Sequence, residues 1–278
     1  MSSVLVTGAA RGIGKAISLR LAQDGWQVYA GVRNLSDGEA LAAQDSRITP
    51  VLLDVTDAKH VAALDEVLPA DLTAVVNNAG IVEDGPVELL DLDALRTQFE
   101  VNVFGALAVT QAVLPRLRST RGRIVFISSL SGRIATPGTG AYNSSKFALE
   151  GLVDALRIEL RPWGIRTSLV EPGPIDTDLW TGATQMVDDT IARLTPEQQA
   201  LYGGHLRGLR TMSERVPKIT APVETVVNDV GKALTASRPK ARYVVGLAGK
   251  AQLIAASLTP TPVLDFVLGL ASGVPRKK

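Results

Sequence analysis

Tyr142 and Lys146 stand four residues apart in Ala141-Tyr142-Asn143-Ser144-Ser145-Lys146, ahead of apolar residues at helical spacing (Phe147, Leu149, Leu152, Val153, Leu156). On a helix this spacing puts a phenol and an ammonium on one face. A free tyrosine titrates near pH ~10 and exchanges protons poorly at neutral pH. A fixed positive charge beside it favours the phenolate and brings its pKa toward the working range. The pair is therefore a candidate acid/base device. Tyr-x-x-x-Lys alone is a weak signal, because a solvated helix face can carry the same spacing without function. Its weight comes from the residues around it.

A second constellation lies near the N-terminus. Val4–Val6 reads as a strand that ends in Thr7-Gly8-Ala9-Ala10-Arg11-Gly12-Ile13-Gly14, and a helical pattern follows at once. Glycines there permit a tight turn and let backbone N–H groups approach a pyrophosphate at the helix N-terminus. A glycine-rich turn is only suggestive by itself; after the first strand of an alternating chain it becomes a dinucleotide-site signal. Many such folds place a carboxylate for the ribose 2′-hydroxyl at the end of the second strand. Here that place holds Val32 followed by Arg33, and Arg11 sits inside the glycine loop. Two guanidiniums and no acid favour a 2′-phosphate, so the cofactor expectation is NADP(H) rather than NAD(H). An ordinary solvated loop charge is the competing reading of Arg33. Asp54-Val55, after the third strand, offers either an acceptor for an adenine amino group or a cap for the helix opening at Asp57. Asn77-Asn78-Ala79-Gly80, after the fourth, fits close backbone contact with a ribose, or a plain turn.

Composition narrows the alternatives. The chain has 278 residues, 46% hydrophobic and 21% charged, which suits one domain with a sizeable core. A net charge of +1 gives no reason to expect nucleic acid. With no cysteine, disulfides, thiolate catalysis and Cys-based metal sites are excluded. His60 and His205 are the only histidines, too few for a convincing His-dependent triad or zinc site, and no metal is expected. No signal peptide is apparent, and the apolar stretch near Leu253–Ala271 is broken by Thr259-Pro260-Thr261-Pro262 and carries Asp265. The expectation is a cytoplasmic protein.

The elements that must position these residues alternate. Val4–Val6, Gln27–Val32, Ile48–Leu53, Ala74–Val76, Arg123–Ile127, Arg166–Val170 and Arg242–Gly246 read as strands. Gly14–Asp24, Asp57–Leu68, Leu95–Leu117, Tyr142–Leu160 and Pro222–Ser237 show helical spacing. The alternation predicts an α/β fold: a parallel sheet with helices on both faces and a ligand crevice at the carboxyl ends of the strands.

Taken together, the Thr7–Gly14 loop, Asn77-Asn78-Ala79-Gly80, Asn102, Ser128-Ser129, Tyr142-x-x-x-Lys146 and Pro172-Gly173 resemble the short-chain dehydrogenase/reductase family, over most of residues 1–246 and in the manner of its steroid/retinol dehydrogenase and carbonyl reductase members. The resemblance implies a Rossmann-type doubly wound parallel sheet in a single domain spanning 1–278. It also implies a catalytic set. Ser129, thirteen residues before Tyr142, would orient and polarise a carbonyl. Tyr142 would exchange a proton with the substrate oxygen, while Lys146 would lower the tyrosine pKa and hold the nicotinamide ribose. Asn102 would hold a water linking Lys146 to solvent; its other reading is a backbone bond at a helix bend. Cofactor contacts implied are Gly8, Arg11, Gly12, Ile13, Gly14, Arg33, Asp54, Val55, Asn78, Ala79, Gly80, Tyr142, Lys146, Pro172, Gly173, the Ile175 backbone and the Thr177 hydroxyl. For Thr177 a helix cap is the alternative.

From Asp178 to Pro217 the alternation lapses into a mixed segment that suits a lid or pocket wall. Leu130, Ile134, Ala135 and Trp180 are candidate substrate contacts; Met186 fits packing better. The family resemblance implies a hydrophobic alcohol or carbonyl substrate and a homo-oligomer. The extension from Lys250 to Lys278 permits peripheral membrane contact, but packing against the body or a second subunit is the favoured reading. A non-catalytic NADP(H)-binding regulator is the alternative function, and it would have no need of Ser129, Tyr142 and Lys146.

Overall fold

The computed structural model describes residues 2–176, 183–215 and 220–274. Seven strands make one parallel sheet: β1 (Ser3–Thr7), β2 (Gln27–Val32), β3 (Ile48–Leu52), β4 (Ala74–Asn77), β5 (Arg123–Ile127), β6 (Arg166–Glu171) and β7 (Arg242–Val244). Their order is β3-β2-β1-β4-β5-β6-β7. The chain runs outward from β1 in one direction, then returns to build the other half from β4. The crevice at this reversal, beyond the carboxyl ends of β1 and β4, is where such sheets bind ligands. The expected doubly wound α/β sheet is therefore present.

Alternation along each strand builds the two layers. Val4 and Val6 of β1, Val76 of β4 and Val125 of β5 face a cluster closed by α1 (Gly12–Gln23) and α9 (Val223–Thr235). Leu5, Val75, Ile124 and Phe126 face the opposite cluster, closed by α3 (Ala58–Val67), α5 (Ala106–Thr120) and α6 (Gly140–Glu159). Strands buried on both faces read as near-continuous apolar runs, which is why the sheet was legible.

The helices hold the differences. The single pattern expected over Leu95–Leu117 is broken into α4 (Leu92–Phe99), a π-helical turn at Glu100–Gly105, and α5. The wider turn carries Asn102 inward, and a Cβ on Gly105 would come within 2.6 Å of Val55 Cγ2. A helix absent from the sequence reading, α2 (Leu35–Ala42), packs Gly38 against Pro50 and Val32. It is short and has little apolar periodicity. Within the mixed segment lie α7 (Ala183–Ala192) and α8 (Pro196–Arg215), joined by a small core of Val187, Leu206 and Leu209.

The extension forms α10 (Gly246–Leu258) and α11 (Thr261–Ala271). It meets the body where Gly249 approaches Leu130, and where Ser272 and Gly273 close on Gly208 of α8. Its outer side chains are exposed on the single chain: Leu247 is 83% exposed and Leu258 79%, with Ile254 and Leu270 also exposed. No helix among the described residues is long and apolar enough to cross a membrane.

Candidate active site

The glycine loop is held from below by the end of β4. Thr7 Oγ1 accepts from the N–H groups of Asn78 (3.0 Å) and Ala79 (2.9 Å), and Asn78 Nδ2 donates to the carbonyls of Thr7 (3.0 Å) and Gly8 (3.1 Å). Gly8 (φ 64°) and Gly12 (φ 54°) adopt the left-handed conformation that the turn requires. Gly14 has no room for a side chain: a Cβ there would strike the Gly8 carbonyl and lie 2.5 Å from Asn78 Nδ2. Helix α1 opens at Gly12 with no side-chain cap, so its first N–H groups face the crevice unengaged by a capping side chain. A cradle of backbone donors lined by glycines fits a dinucleotide pyrophosphate.

Arg33, past the end of β2, is exposed and close enough to Asp54 to help stabilise that carboxylate. Burial pushes the Asp54 pKa up, but two hydrogen bonds from Thr56, with Arg33 and His60 nearby, outweigh it and leave the pKa below the usual value. One Asp54 oxygen is taken by Thr56 N (3.0 Å) and Oγ1 (2.7 Å). The helix after it is capped by Asp57, whose carboxylate accepts from Lys59 N at 2.7 Å, so Asp54 is not that cap. Val55 is buried against Gly105.

Beyond β5 and on α6 the catalytic candidates come together. The Ser129 hydroxyl lies close enough to Tyr142 to favour its phenolate, and it donates to the Pro172 carbonyl at 3.4 Å. Ser129 Oγ is fixed by the Ser131 N–H at 3.1 Å. Lys146, one turn along from Tyr142, is buried, and its Nζ lies 5.7 Å from the tyrosine ring centre and donates to the Ile127 carbonyl at 2.9 Å. Burial lowers the Lys146 pKa from 10.5 to about 8, against a counter-pull from Glu150. Tyr142 does not show the expected depression: burial raises its pKa, the nearby Ser129 hydroxyl opposes this, and the charge of Asp84 adds to it. The structure thus holds Tyr142 as the neutral phenol, because the low-dielectric surroundings penalise phenolate more than they reward it.

Asn102 is placed by the π-helical turn. Its Oδ1 accepts from Ile81 N (2.9 Å), and its Nδ2 donates to Ile81 O (3.1 Å) and Ser145 Oγ (3.1 Å). Both ends of the amide are therefore engaged by protein, as the backbone-bonding reading foresaw. A Cβ on Gly80 would lie 3.3 Å from Asn102 Oδ1 and 3.9 Å from Lys146 Nζ, so the three converge.

The segment after β6 runs beside this group. Pro172 O accepts from Leu130 N at 2.9 Å, Gly173 packs on Leu130, and Ile175 forms a bridge with Ala221. Leu130 and Ile134 are buried, while Ala135 is exposed. Thr177 and Trp180 lie outside the described residues, as does the side chain of Met186. Leu209 of α8 presses on Gly138, whose Cβ would come within 2.6 Å of Leu209 Cδ2, so α8 covers the loop leading into Tyr142.

Several contributors escaped the sequence reading. Gln98, fully buried, accepts from Glu83 N and donates to Ile81 O, both at 2.7 Å. Glu171, also fully buried, binds Arg133 at 3.3 Å and Arg242 at 3.0 Å, while Arg242 reaches Glu150 at 3.0 Å. Burial and the nearby Glu150 raise the Glu171 pKa despite its two arginines. An acid closing an apolar strand just before Pro172-Gly173 was the available signal for Glu171.

Sheet order, glycine cradle and the Ser129–Tyr142–Lys146 group define a nucleotide-dependent oxidoreductase of the short-chain type. The family model described as short chain dehydrogenase matches residues 2–188, and the chain belongs to that family. The NADPH-dependent 3-dehydrocapnine reductase of Ornithobacterium rhinotracheale is 34% identical over 278 residues, covering 96% of each chain. Human retinol dehydrogenase 5 is 36% identical over 279 residues, covering 95% of this chain and 87% of its own. Among solved structures, a short chain dehydrogenase from Burkholderia cenocepacia in complex with NADP superposes with a TM-score of 0.73 at 28% identity, covering 96% of this chain and 97% of the other. The protein is an enzyme of the steroid/retinol dehydrogenase-like branch, a dehydrogenase/reductase.

Proposed function

We propose that the enzyme interconverts a secondary alcohol with its ketone, or an alcohol with an aldehyde, using NADP(H) and a hydrophobic substrate. The observation that carries this reading is the grouping of Ser129, Tyr142 and buried Lys146, whose Nζ lies 5.7 Å from the tyrosine ring centre, beside the glycine cradle. When bound, the nicotinamide supplies or accepts the hydride. Gly8, Gly12, Ile13 and Gly14 would hold the pyrophosphate, Arg33 and Arg11 the 2′-phosphate, and Asp54 and Val55 the adenine. Asn78, Ala79, Gly80 and Lys146 would line the ribose and nicotinamide side, with Pro172, Gly173, Ile175 and Thr177 opposite.

Ser129 donates to the substrate oxygen and orients it. Tyr142, held as a phenol by burial, gives its proton to that oxygen as negative charge develops, which makes carbonyl reduction the favoured direction near neutral pH. Lys146 steadies the resulting phenolate. Asn102 and Gln98 fix the loop at Ile81–Glu83 that walls the site.

Val32 rather than a carboxylate ending β2, with Arg33 after it and Arg11 in the glycine loop, favours NADP(H), as do the NADPH-dependent and NADP-bound relatives. Buried Leu130 and Ile134, the small apolar core between α7 and α8, and kinship with an enzyme named for the apolar alcohol retinol favour a hydrophobic substrate. Exposed Phe104, Phe147, Leu152 and Ile158 on one side of the body favour a homo-oligomer.

The test is NADPH oxidation against carbonyls graded from small polar aldehydes to large apolar ketones, with NADH in parallel. Turnover that rises with apolar size and prefers NADPH is expected. Tyr142→Phe should abolish turnover while leaving NADPH binding largely intact; retained turnover would remove the acid/base role.

A further inference from the structure

Asp84 is a carboxylate for which the reaction above has no use. Its Oδ1 is buried and has no hydrogen-bond partner, and no ion pair reaches it among the described residues. Its position is nevertheless fixed on both sides. Upstream, Ile81 and Glu83 are pinned by Asn102 and Gln98 at 2.7–3.1 Å. Downstream, Gly85 N donates to the Gly138 carbonyl at 2.7 Å, and Gly85 pairs with Thr139 at the entrance to α6. Tyr142 follows three residues after Thr139, and the charge of Asp84 is felt at its phenol. Two buried amide side chains and a strand-like bridge thus hold a half-buried carboxylate, its Oδ1 unpartnered, in the loop tied to the entrance of α6, where its charge acts on the proton-exchanging hydroxyl. Burial, with Glu83 next to it, lifts the Asp84 pKa to about 6, so at and above neutral pH the group is predominantly an anion.

An anion there works against a neutral substrate. It opposes formation of the phenolate that carbonyl reduction leaves on Tyr142, and it is itself desolvated without compensation. A cation arriving with the substrate reverses both effects: it pairs with Asp84 and relieves the repulsion at Tyr142. Lys146 does not serve, because its ammonium is directed to the Ile127 carbonyl. A substrate oxygen bound by Ser129 and Tyr142 brings the atoms next to its carbon to the hydroxyl on which the Asp84 charge acts.

We propose that Asp84 is a specificity-determining residue that binds an ammonium group within a few bonds of the reacting carbon, so that the site takes amino ketones and amino alcohols. This rests on the carbonyl-reductase reading and narrows its substrate class.

The test is calorimetric titration of the NADPH-loaded protein at pH 7.5 with 1-aminooctan-2-ol and with its methyl isostere nonan-3-ol, in the wild type and in Asp84→Asn. Neither alcohol can react with reduced cofactor, so binding is read without turnover. The wild type should bind the amino alcohol at least tenfold more tightly than the isostere, and Asp84→Asn should bring the two within about threefold. Equal affinities in the wild type, or a preference that survives in Asp84→Asn, would overturn the assignment; the wild-type comparison alone decides if the variant does not fold. Oxidation of the two alcohols with NADP+ separates the layers. Turnover of nonan-3-ol without an amine preference refutes the Asp84 role and leaves the reductase reading standing. An amine preference with no oxidation of either alcohol supports the cation site and counts against the reductase reading.

Discussion

Replacing Lys146 with Met should make the cofactor-free protein more stable while ending its activity. The Lys146 pKa falls from 10.5 to about 8, with burial as its largest cause. At about 1.36 kcal/mol per pH unit, the folded state bears a penalty of roughly 3 kcal/mol for carrying the ammonium. Met keeps most of the stem and removes the charge, but loses the hydrogen bond to the Ile127 carbonyl, worth about 1 kcal/mol. The balance is a gain of about 2 kcal/mol at pH 7. The pH dependence follows from the depressed pKa. Below about pH 8 both folded and unfolded chains hold the proton, and the penalty is present in full. Between about 8 and 10.5 the unfolded chain keeps the proton that the folded one releases, so wild-type stability rises with pH. Above that range the penalty is gone.

Urea unfolding of wild type and Lys146→Met at pH 7 and at about pH 9.5 measures this, and the variant's advantage should shrink by about 2 kcal/mol between the two. A variant less stable than wild type at pH 7, or a difference that does not change with pH, would refute the claim that the lysine is held as a desolvated charge. The expected outcome is the familiar opposition of stability and activity at a catalytic group.

Other outcomes follow from the same geometry. Arg33→Ala should weaken NADPH binding about tenfold or more and NADH binding little, read by fluorescence titration; equal losses would remove the 2′-phosphate contact. Gly14→Ala should lower NADPH affinity by more than tenfold, because its Cβ meets the Gly8 carbonyl and Asn78, whereas Gly151→Ala, mid-helix with open space around it, should stabilise by about 0.5–1 kcal/mol. The same chemical change with opposite signs is checked by calorimetry for the first and thermal unfolding for the second. Arg242→Ala should cost about 3 kcal/mol in urea unfolding, since Glu171 and Glu150 would lose a shared partner while buried. A loss under about 1 kcal/mol would mean that Glu171, whose pKa burial raises, is already protonated in the native state.

The sheet and the cofactor loop were legible because their signals are local. Continuous apolar strands, a glycine turn opening a helix, and Tyr142 one turn before Lys146 each lie within a few residues, where period and sterics speak directly. The parts that were missed depend on contacts distant in sequence. Nothing near Gln98 indicates that it will bond to Ile81 and Glu83, and helical periodicity across Leu95–Leu117 hides the π-helical turn that carries Asn102 inward. The sign of the Tyr142 shift was missed for a related reason. Spacing puts an ammonium near the phenol, but the burial that opposes ionisation comes from the whole fold, and Asp84 arrives from a different loop.

The polar residues in this site fall into two kinds, and the difference bears on substrate choice. Asn102 and Gln98 are buried with both ends of their amides bonded, so their cost is met within the fold and their positions are structural. Asp84 Oδ1 is buried without a partner, although the same loop satisfies its neighbours on either side. A neutral residue at this position would have avoided that desolvation. Buried oxygens of Ser128, Glu150 and Glu171 also lack hydrogen bonds, but Asp84 lies in the loop bridged to the entrance of α6, where its charge acts on the Tyr142 phenol and a partner carried by the substrate can meet it. On this argument the catalytic trio sets the reaction, and the unpartnered acid next to it selects which carbonyl undergoes it.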